Sequence, residues 1–370
     1  MRRITWIIVL SLMLGPLQAN AEPSPETEEI RNFLTELYRA RSEFLIRDVP
    51  IDSFYFDKVP TSQQALVLQK KRKAYFQAWA DKRDIRFHAA EGTLKISRIK
   101  PAGSLVKVSL VHRLKVTYSY AQGSEAPAAF GLGTRHVLTL KRENGQLRVL
   151  KEWYLDPLEI DSDDVSLHRS SFLWNPKPGT ESLKLDPVPK SPRKKRYNRQ
   201  KAVAYADKYA GSAWGAGNDN RYNPKYRDYT GIGGDCTNFA SQVIGDPDEG
   251  GGLPMTHAWR YSSGNGSRAW VSTDAFKSFL LYSGYGKVVG SGTFDQIVRG
   301  PSAPGIWSKV QPGDLIAYMY KNDVDHFAVI VGKDERGLPL INCHTTDRYH
   351  VPFDLGWENY TQYVLIHIVD

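Results

Sequence analysis

A proline-rich segment from residue 159 to residue 198 sets the strongest limit on what this chain can form. Its five prolines are Pro176, Pro178, Pro187, Pro189 and Pro192. Proline fixes φ and lacks the backbone N–H, so a helix or central strand cannot continue through such a segment. We therefore predict a linker over residues 159–198 with a folded unit on either side. With 370 residues, the chain is long enough for each unit to bury a core.

The first 21 residues have the order of a secretory signal peptide. Arg2 and Arg3 precede an apolar run over residues 4–14, and the small residues Ala19 and Ala21 follow it. The run is too short to span a bilayer comfortably. We predict that residues 1–21 are removed and that the mature protein is secreted or held in the cell envelope. An uncleaved N-terminal anchor is the alternative.

The excess positive charge of the chain lies in the linker region. The chain carries 49 basic and 40 acidic residues, a net charge of +9, and removal of Arg2 and Arg3 leaves +7. Seven basic residues and no acidic ones, which we call the basic linker, lie between Pro187 and Ala206: Lys190, Arg193, Lys194, Lys195, Arg196, Arg199 and Lys201. This charge can bind anionic wall polymers, and a solvated spacer is the alternative. Export argues against a nucleic-acid partner.

Residues 22–158 are predicted to form an α+β accessory unit. Apolar residues recur at helical spacing over residues 30–45, and a second helical stretch covers residues 63–79. The period then changes to two, and Asn144-Gly145 marks a hairpin. Helices followed by a curved antiparallel sheet resemble the cone-shaped nuclear-transport-factor-like fold. We predict no catalytic constellation in this unit, because its three histidines are scattered: His88, His112 and His136.

The motif Gly233-Gly234-Asp235-Cys236-Thr237-Asn238-Phe239 is the strongest chemical signal in the second unit, residues 199–370. The glycines permit a sharp turn, Asp235 is a good N-cap residue, and apolar residues follow at helical spacing. We therefore place Cys236 at the first turn of a helix. The N–H groups and positive dipole end there favour a thiolate and can stabilise an oxyanion. A buried structural cysteine, or half of a disulfide with Cys343, is the alternative.

A later strand supplies a candidate base, His326. Residues 325–332 alternate as a strand, and residues 340–344 resume one after a turn. A hairpin centred on Glu335 would set His326 opposite His344, with Asn342 on the same face. Cys343 would then point the other way, into the core. A slip of one residue would break this arrangement.

A cysteine at a helix start and a histidine on a later strand form the layout of a papain-like nucleophile and base. Cys236 would attack a carbonyl after His326 removes its proton, and a third polar group would orient the imidazole. The candidates for that group are, in order, His344, Asn342 and Asp347. A zinc site is disfavoured because no pair of candidate ligands has close metal-type spacing. We predict neither a metal nor another cofactor.

Several segments of the second unit resemble the bacterial putative amidase domain family, and they occur in the family's order. They are residues 197–210, Gly234-Asp-Cys-Thr-Asn-Phe-Ala-Ser-Gln242, Pro312-Gly-Asp-Leu315, Asp325-His326 and His344-Thr-Thr-Asp-Arg348. The family belongs to the papain-like group, beside the NlpC-type and CHAP cell-wall hydrolases. The resemblance implies a papain-like fold, with Cys236 as nucleophile and His326 as base.

These observations predict an α+β protein with an accessory unit and a papain-like cysteine hydrolase domain. We expect an exported amidase or peptidase that cuts an amide bond in cell-wall peptide, with anionic wall polymer as a second partner. The alternative is a wall-binding module without catalysis, or a disulfide-bonded structural domain. An enzyme needs Cys236 as a reactive thiol, whereas the structural domain would bond it to Cys343.

Overall fold

The computed structural model of the protein describes residues 24–123, 126–158, 197–357 and 360–370. The predicted signal peptide and the linker up to residue 196 lie outside these described residues. Within the described ranges, no helix combines the length and the apolar character needed to cross a bilayer.

Two long helices begin the described chain, as the apolar spacing predicts. The first, α1, covers Pro25–Phe44, and the Ser24 hydroxyl caps its first turn. The second, α2, covers Pro60–Arg83 and ends at Asp84, which has a left-handed φ of 56°. A short 3-10 turn at Asp52–Phe54 lies between them. Both helices exceed their predicted lengths because their end turns are polar and lack an apolar period.

Four antiparallel strands follow these helices as a meander. They are β1 (Ile85–Ala102), β2 (Leu105–Tyr120), β3 (Ala128–Glu143) and β4 (Gln146–Tyr154). Asn144 and Gly145 form the tight turn between β3 and β4 with φ of 50° and 79°, which confirms the predicted hairpin. Register irregularities follow Phe87 and Ile96 in β1, and such bulges bend a sheet. The α+β class is confirmed, and the cone shape stays a prediction.

The second unit contains six helices and eight strands within the described residues. The helices are α3 (Arg199–Lys208), α4 (Cys236–Gly245), α5 (Arg268–Val271), α6 (Thr273–Tyr282), α7 (Phe294–Val298) and α8 (Ala303–Trp307). The strands are β5 (Tyr261–Ser262), β6 (Asn265–Gly266), β7 (Gly286–Gly292), β8 (Leu315–Tyr320), β9 (Asp323–Lys333), β10 (Pro339–Cys343), β11 (Asp347–Pro352) and β12 (Gln362–Ile368). The sequence predicts only two or three strands near the C-terminus, because glycine-rich β7 and short β11 show little alternation.

The strands of both units join in one antiparallel sheet. Its order is β1-β2-β3-β11-β10-β9-β8-β12-β7, with β4 also paired to β3, while β5 and β6 form a separate hairpin. The units meet where β11 pairs with β3, which sets Asp347 opposite Gly133 and Tyr349 opposite Gly131. The residue pattern does not predict this pairing, because alternation identifies a strand without identifying its neighbour.

The two faces of the sheet bury different sets of side chains. On one face, Val329 of β9 packs with Phe239 of α4 in a core built by the second unit. On the other face, Ala328 of β9 belongs to a core that also contains Trp79 of α2 and Phe130 of β3. Alternate residues of β9 therefore face α4 and a core shared by both units.

A buried ion cluster fastens α2 to the second unit. The Arg83 guanidinium donates to Asp354 at 2.7 Å and to Asp334 at 2.8 Å, and the side chains of all three are at most 2% exposed. The Trp79 indole N–H also donates to Asp354, at 3.1 Å. A buried charge that loses its partner is strongly destabilising, so these contacts hold the two units in one arrangement.

His112 and His136 meet in the core of the first unit, so the expectation of scattered histidines is wrong for this pair. Their ring centroids are 6.1 Å apart, because the pairing of β2 with β3 sets His112 opposite Thr134. His136 lies 2.8 Å from the carboxylate of Glu152, which also accepts hydrogen bonds of 2.8 and 2.6 Å from Arg41. Burial lowers the pKa of both histidines. We assign this cluster to the stability of the first unit.

Candidate active site

Cys236 lies at the first turn of α4, where the sequence predicts it. Gly233 and Gly234 have φ of 110° and 108°, values that disfavour a side chain, and the chain turns sharply there into the helix. Cys236 is a free thiol with 8% exposure. Cys343 packs in the core of the opposite face and donates to the Thr346 carbonyl. The two cysteines are not bonded to each other, so the disulfide interpretation is wrong.

Asp235 occupies the N-cap position of α4, but its side chain does not cap the helix backbone. One carboxylate oxygen accepts hydrogen bonds of 2.8 Å from the Tyr229 backbone N–H and from the Asn238 side chain. The other lies 2.6 Å from Nδ1 of His344. The expected capping role is therefore wrong, because the carboxylate ties the loop before α4 to His344 instead.

The thiol of Cys236 is held in its protonated form. Burial raises its pKa, and hydrogen bonds from the Phe327 backbone N–H and from Thr237 offset only part of that rise. The expected thiolate is therefore wrong for the resting site, because desolvation of a charged sulfur outweighs the N–H groups around it. Cys236 needs a base before it can attack a carbonyl carbon.

His326 has the properties of a neutral base. It is 6% exposed, and its ring lies against Tyr318 and Trp357, with centroid distances of 5.8 and 5.3 Å. Burial lowers its pKa to about 3. No described residue hydrogen-bonds to its Nε2, so the neutral ring can keep a nitrogen lone pair for a proton. The next residue along β9 is Phe327, whose N–H contacts the sulfur of Cys236.

The predicted pairing of His326 with His344 is wrong. Asn342 lies opposite Val329, one residue away from the expected Ala328, and a register irregularity separates this pair from the earlier pairs of β9 with β10. A slip of one residue turns a side chain to the other face of the sheet. Asn342 and His344 therefore share the face that carries α4, while His326 faces the shared core.

His344 is buried beside α4. Its ring is stacked between Tyr222 and Phe239, with centroid distances of 3.7 and 3.9 Å. Its Nδ1 faces the carboxylate of Asp235, and its Nε2 lies 2.6 Å from the Tyr209 carbonyl. His344 therefore links the Asp235 carboxylate to the Tyr209 carbonyl. This geometry does not fit the predicted role of orienting a second imidazole.

The other two candidates for an orienting residue are committed to different partners. Asn342 donates to Asp207 at 2.8 Å. Asp347, expected beyond a strand end, begins β11 and accepts hydrogen bonds of 2.8 and 2.5 Å from Ser212 and of 2.5 Å from Tyr222. Both residues are fully buried, and they support the loops around the site.

Two further residues lie at the site, to which the sequence assigns no individual role. Arg135 of β3 forms a 3.0 Å ion pair with Asp347, and Trp357 lies against His326. Arg135 belongs to the other unit, and Trp357 is one of nine tryptophans, so neither could be selected from its position. In the described part of the chain, no cluster of three or more histidine, cysteine or carboxylate side chains is arranged to hold a metal ion.

A family model and two curated proteins match parts of this chain. The model of the putative amidase domain family matches residues 196–367. The uncharacterized protein YhbB of Bacillus subtilis (strain 168) is 30% identical over 187 residues, which cover 47% of this chain and 51% of YhbB. The uncharacterized protein YjcM of the same organism is 28% identical over 168 residues, which cover 43% of this chain and 33% of YjcM. The chain thus matches about half the length of YhbB and a third of YjcM.

Among solved structures, the intermembrane space region of the chloroplast protein ARC6 aligns with 36% of this chain and 98% of its own. The TM-score is 0.27 and the identity 12%. The family match, in contrast, contains Cys236, His326 and His344 and leaves out the first unit. Residues 196–367 therefore match the putative amidase domain family.

Proposed function

We propose that the protein hydrolyses an amide bond by cysteine catalysis, with Cys236 as nucleophile and His326 as base. The observation that carries this proposal is the position of the Cys236 sulfur. It lies at the first turn of α4 and receives the backbone N–H of Phe327, the residue that follows His326. The family match supports amide hydrolysis as the reaction. A protonated thiol and a neutral imidazole are the forms from which proton transfer can start.

The proposed reaction has two halves. In the first half, the His326 ring turns from the shared core toward Cys236 and takes the thiol proton while the sulfur attacks the carbonyl carbon. N–H groups of the first turn of α4 stabilise the oxyanion. The C–N bond then breaks, and the leaving amine takes the proton from His326. A water molecule, deprotonated by His326, attacks the resulting thioester. The acid is released, and the proton returns to the thiol.

We extend the proposal to an exported enzyme that acts on cell-wall peptide. The signal-like order of residues 1–21 supports export, and the basic linker can attach the protein to anionic wall polymer. Export is tested by the intact mass of the protein recovered from its producing cells, which should correspond to a chain that begins at Glu22. A retained N-terminus would place the protein on a membrane anchor instead.

Purified peptidoglycan is the substrate with which to test the reaction, with mass spectrometry of the released fragments. The wild-type protein should release fragments with a new carboxyl group, and Cys236→Ala should release none. Cys343→Ser is the matched control, because it changes the other cysteine, keeps a hydrogen-bond donor for Thr346 and should stay active. Fragment release by Cys236→Ala would exclude the cysteine mechanism. Binding without release by the wild-type protein would favour a wall-binding module.

The base is tested with the same assay. His326→Ala should abolish fragment release while Cys236 remains open to alkylation by iodoacetamide, because the variant loses the proton acceptor and keeps the thiol. His344→Ala should retain measurable release if its role is electrostatic. If His344→Ala abolishes release and His326→Ala does not, the roles of the two histidines are reversed.

A further inference from the structure

The first unit reaches into the second through strand β3, outside the region matched by the family. The loop after α3 lies directly against the part of β3 that pairs with β11. A side chain at Gly131 would collide with the Trp214 carbonyl, and one at Gly133 would collide with the Ser212 backbone. Arg135 is two residues further along, so its side chain leaves the strand on the same face.

The side chain of Arg135 is 42% exposed, and its guanidinium reaches a buried carboxylate of the second unit. It lies 3.0 Å from Asp347, whose side chain is 0% exposed, and 5.3 Å from the ring of Tyr222. Tyr222 Oη donates to Asp347 at 2.5 Å, and Ser212 donates through its backbone N–H and its hydroxyl. Burial raises the pKa of Asp347. The opposing effect of Arg135, His344 and these hydrogen bonds is larger, so the pKa of Asp347 lies below its ordinary value. Asp347 therefore stays ionised, with Arg135 as its ion-pair partner.

Direct contacts continue from this ion pair to the cysteine. Tyr222 stacks on His344 with an interplanar angle of 9° and a centroid distance of 3.7 Å. His344 then lies 2.6 Å from the carboxylate of Asp235, and Asp235 is the residue before Cys236. The groups that face Asp347 are Arg135 from β3, Ser212 and Tyr222 from the loop after α3, and His344 from the loop before β11.

We propose that Arg135 is a positioning residue for Cys236, and that the first unit thereby completes the active site of the amidase domain. This inference rests on the proposed role of Cys236 as nucleophile. Arg135 neutralises Asp347, which leaves His344 paired with Asp235 at the start of α4. Without Arg135, Asp347 would attract His344 away from Asp235, and the site would lose one positive charge. Both changes disfavour the Cys236 thiolate.

The test measures alkylation of Cys236 by iodoacetamide in the full-length protein as a function of pH, with peptide mass spectrometry to follow each cysteine. In Arg135→Met, the rate at neutral pH should fall by about threefold, which corresponds to a rise of about half a unit in the apparent pKa of the thiol. Arg135→Lys should restore part of the rate because it keeps the charge. Arg142→Met is the matched control on the same strand, because it removes an exposed ion pair with Glu29 and a hydrogen bond to the Gly145 carbonyl.

Cys343 reports whether each variant is folded, since it is 0% exposed and should alkylate only on unfolding. If Cys343 is alkylated in Arg135→Met, the test is repeated with Tyr222→Phe in place of that variant. Tyr222→Phe removes the hydroxyl donor to Asp347 and keeps the ring on His344. A pH profile equal to that of the wild-type protein in a folded Arg135→Met or Tyr222→Phe variant would overturn the inference. Fragment release by Cys236→Ala would instead overturn the proposed function, so the two failures are distinguishable.

Discussion

Replacing His326 with glutamine should change how the stability of the protein depends on pH. The pKa of His326 is lowered from 6.5 to about 3 by burial, with a smaller contribution from Arg348. Between these values the unfolded chain binds a proton at this position and the folded protein does not. The free energy of unfolding of the wild-type protein therefore falls as the pH falls through this window. His326→Gln cannot bind this proton in either state.

The size of the effect follows from the linkage relation. A fully developed difference of one bound proton changes the free energy of unfolding by about 1.4 kcal/mol per pH unit. Near pH 6.5 the histidine of the unfolded chain is only about half protonated. The free energy of unfolding therefore changes less steeply with pH there than at lower pH. Between about pH 6.5 and about pH 4.5, the wild-type protein should lose about 2 kcal/mol more than His326→Gln.

Urea unfolding followed by tryptophan fluorescence, at both pH values, gives the four free energies needed. His112, His136 and the carboxylates titrate in both proteins and cancel in the difference. His257→Gln is the control, because His257 is exposed in the folded protein and its replacement should lower stability equally at the two pH values. If His326→Gln and the wild-type protein lose the same stability on acidification, His326 is not held neutral by burial. The argument for a neutral base would then fail.

Three further perturbations test other parts of the structure. Glu152→Gln should lower the free energy of unfolding by about 3–5 kcal/mol, because it leaves the buried Arg41 without its counter-charge. In the same urea titration, Glu29→Gln, which breaks an exposed ion pair, should lower the free energy of unfolding by less than about 1 kcal/mol. Gly145→Ala should lower it by about 1 kcal/mol, because Gly145 has a φ of 79°, and an unchanged thermal midpoint would contradict this. Neutralising the five basic residues of the basic linker that precede α3, residues 190–196, should weaken cosedimentation with anionic wall polymer, and wild-type binding should fall as salt rises. Arg199 is left unchanged because it lies in α3 and pairs with Asp314 and Asp370. Salt-insensitive binding that survives neutralisation would leave the linker as a spacer.

The parts of the fold that the sequence predicts are those fixed by neighbouring residues. Apolar spacing locates α1 and α2, and Asn144-Gly145 specifies a tight turn. The paired glycines before Cys236 predict the start of a helix. Each of these signals acts within one or two turns of chain. Burial of the Cys236 sulfur, which reverses the expected shift of its pKa, depends on the packing of α4 against β9 and could not be inferred locally.

The errors in the predicted positions of His326 and His344 come from the register of β9 against β10. The expected hairpin assumed a symmetric turn about Glu335, but Lys333 pairs with Pro339 and a further irregularity follows Leu340. Alternation along β9 and β10 correctly identifies two strands and still leaves their relative position open. One residue of slip is enough to move His344 to the opposite face from His326.

The junction between β3 and β11 also constrains the order in which the chain can fold. Among the described residues, β4 covers one edge of β3 over residues 136–143, and β11 alone covers that edge at residues 131–133. Gly133 and its partner Asp347 are separated by more than half of the chain, so this part of the edge stays open until the C-terminal strands arrive. Open strand edges pair readily with other chains, and Gly131 and Gly133 carry no side chain to prevent it. Substitutions that delay the docking of β11 should therefore reduce the yield of soluble protein even where they leave the stability of the finished fold unchanged.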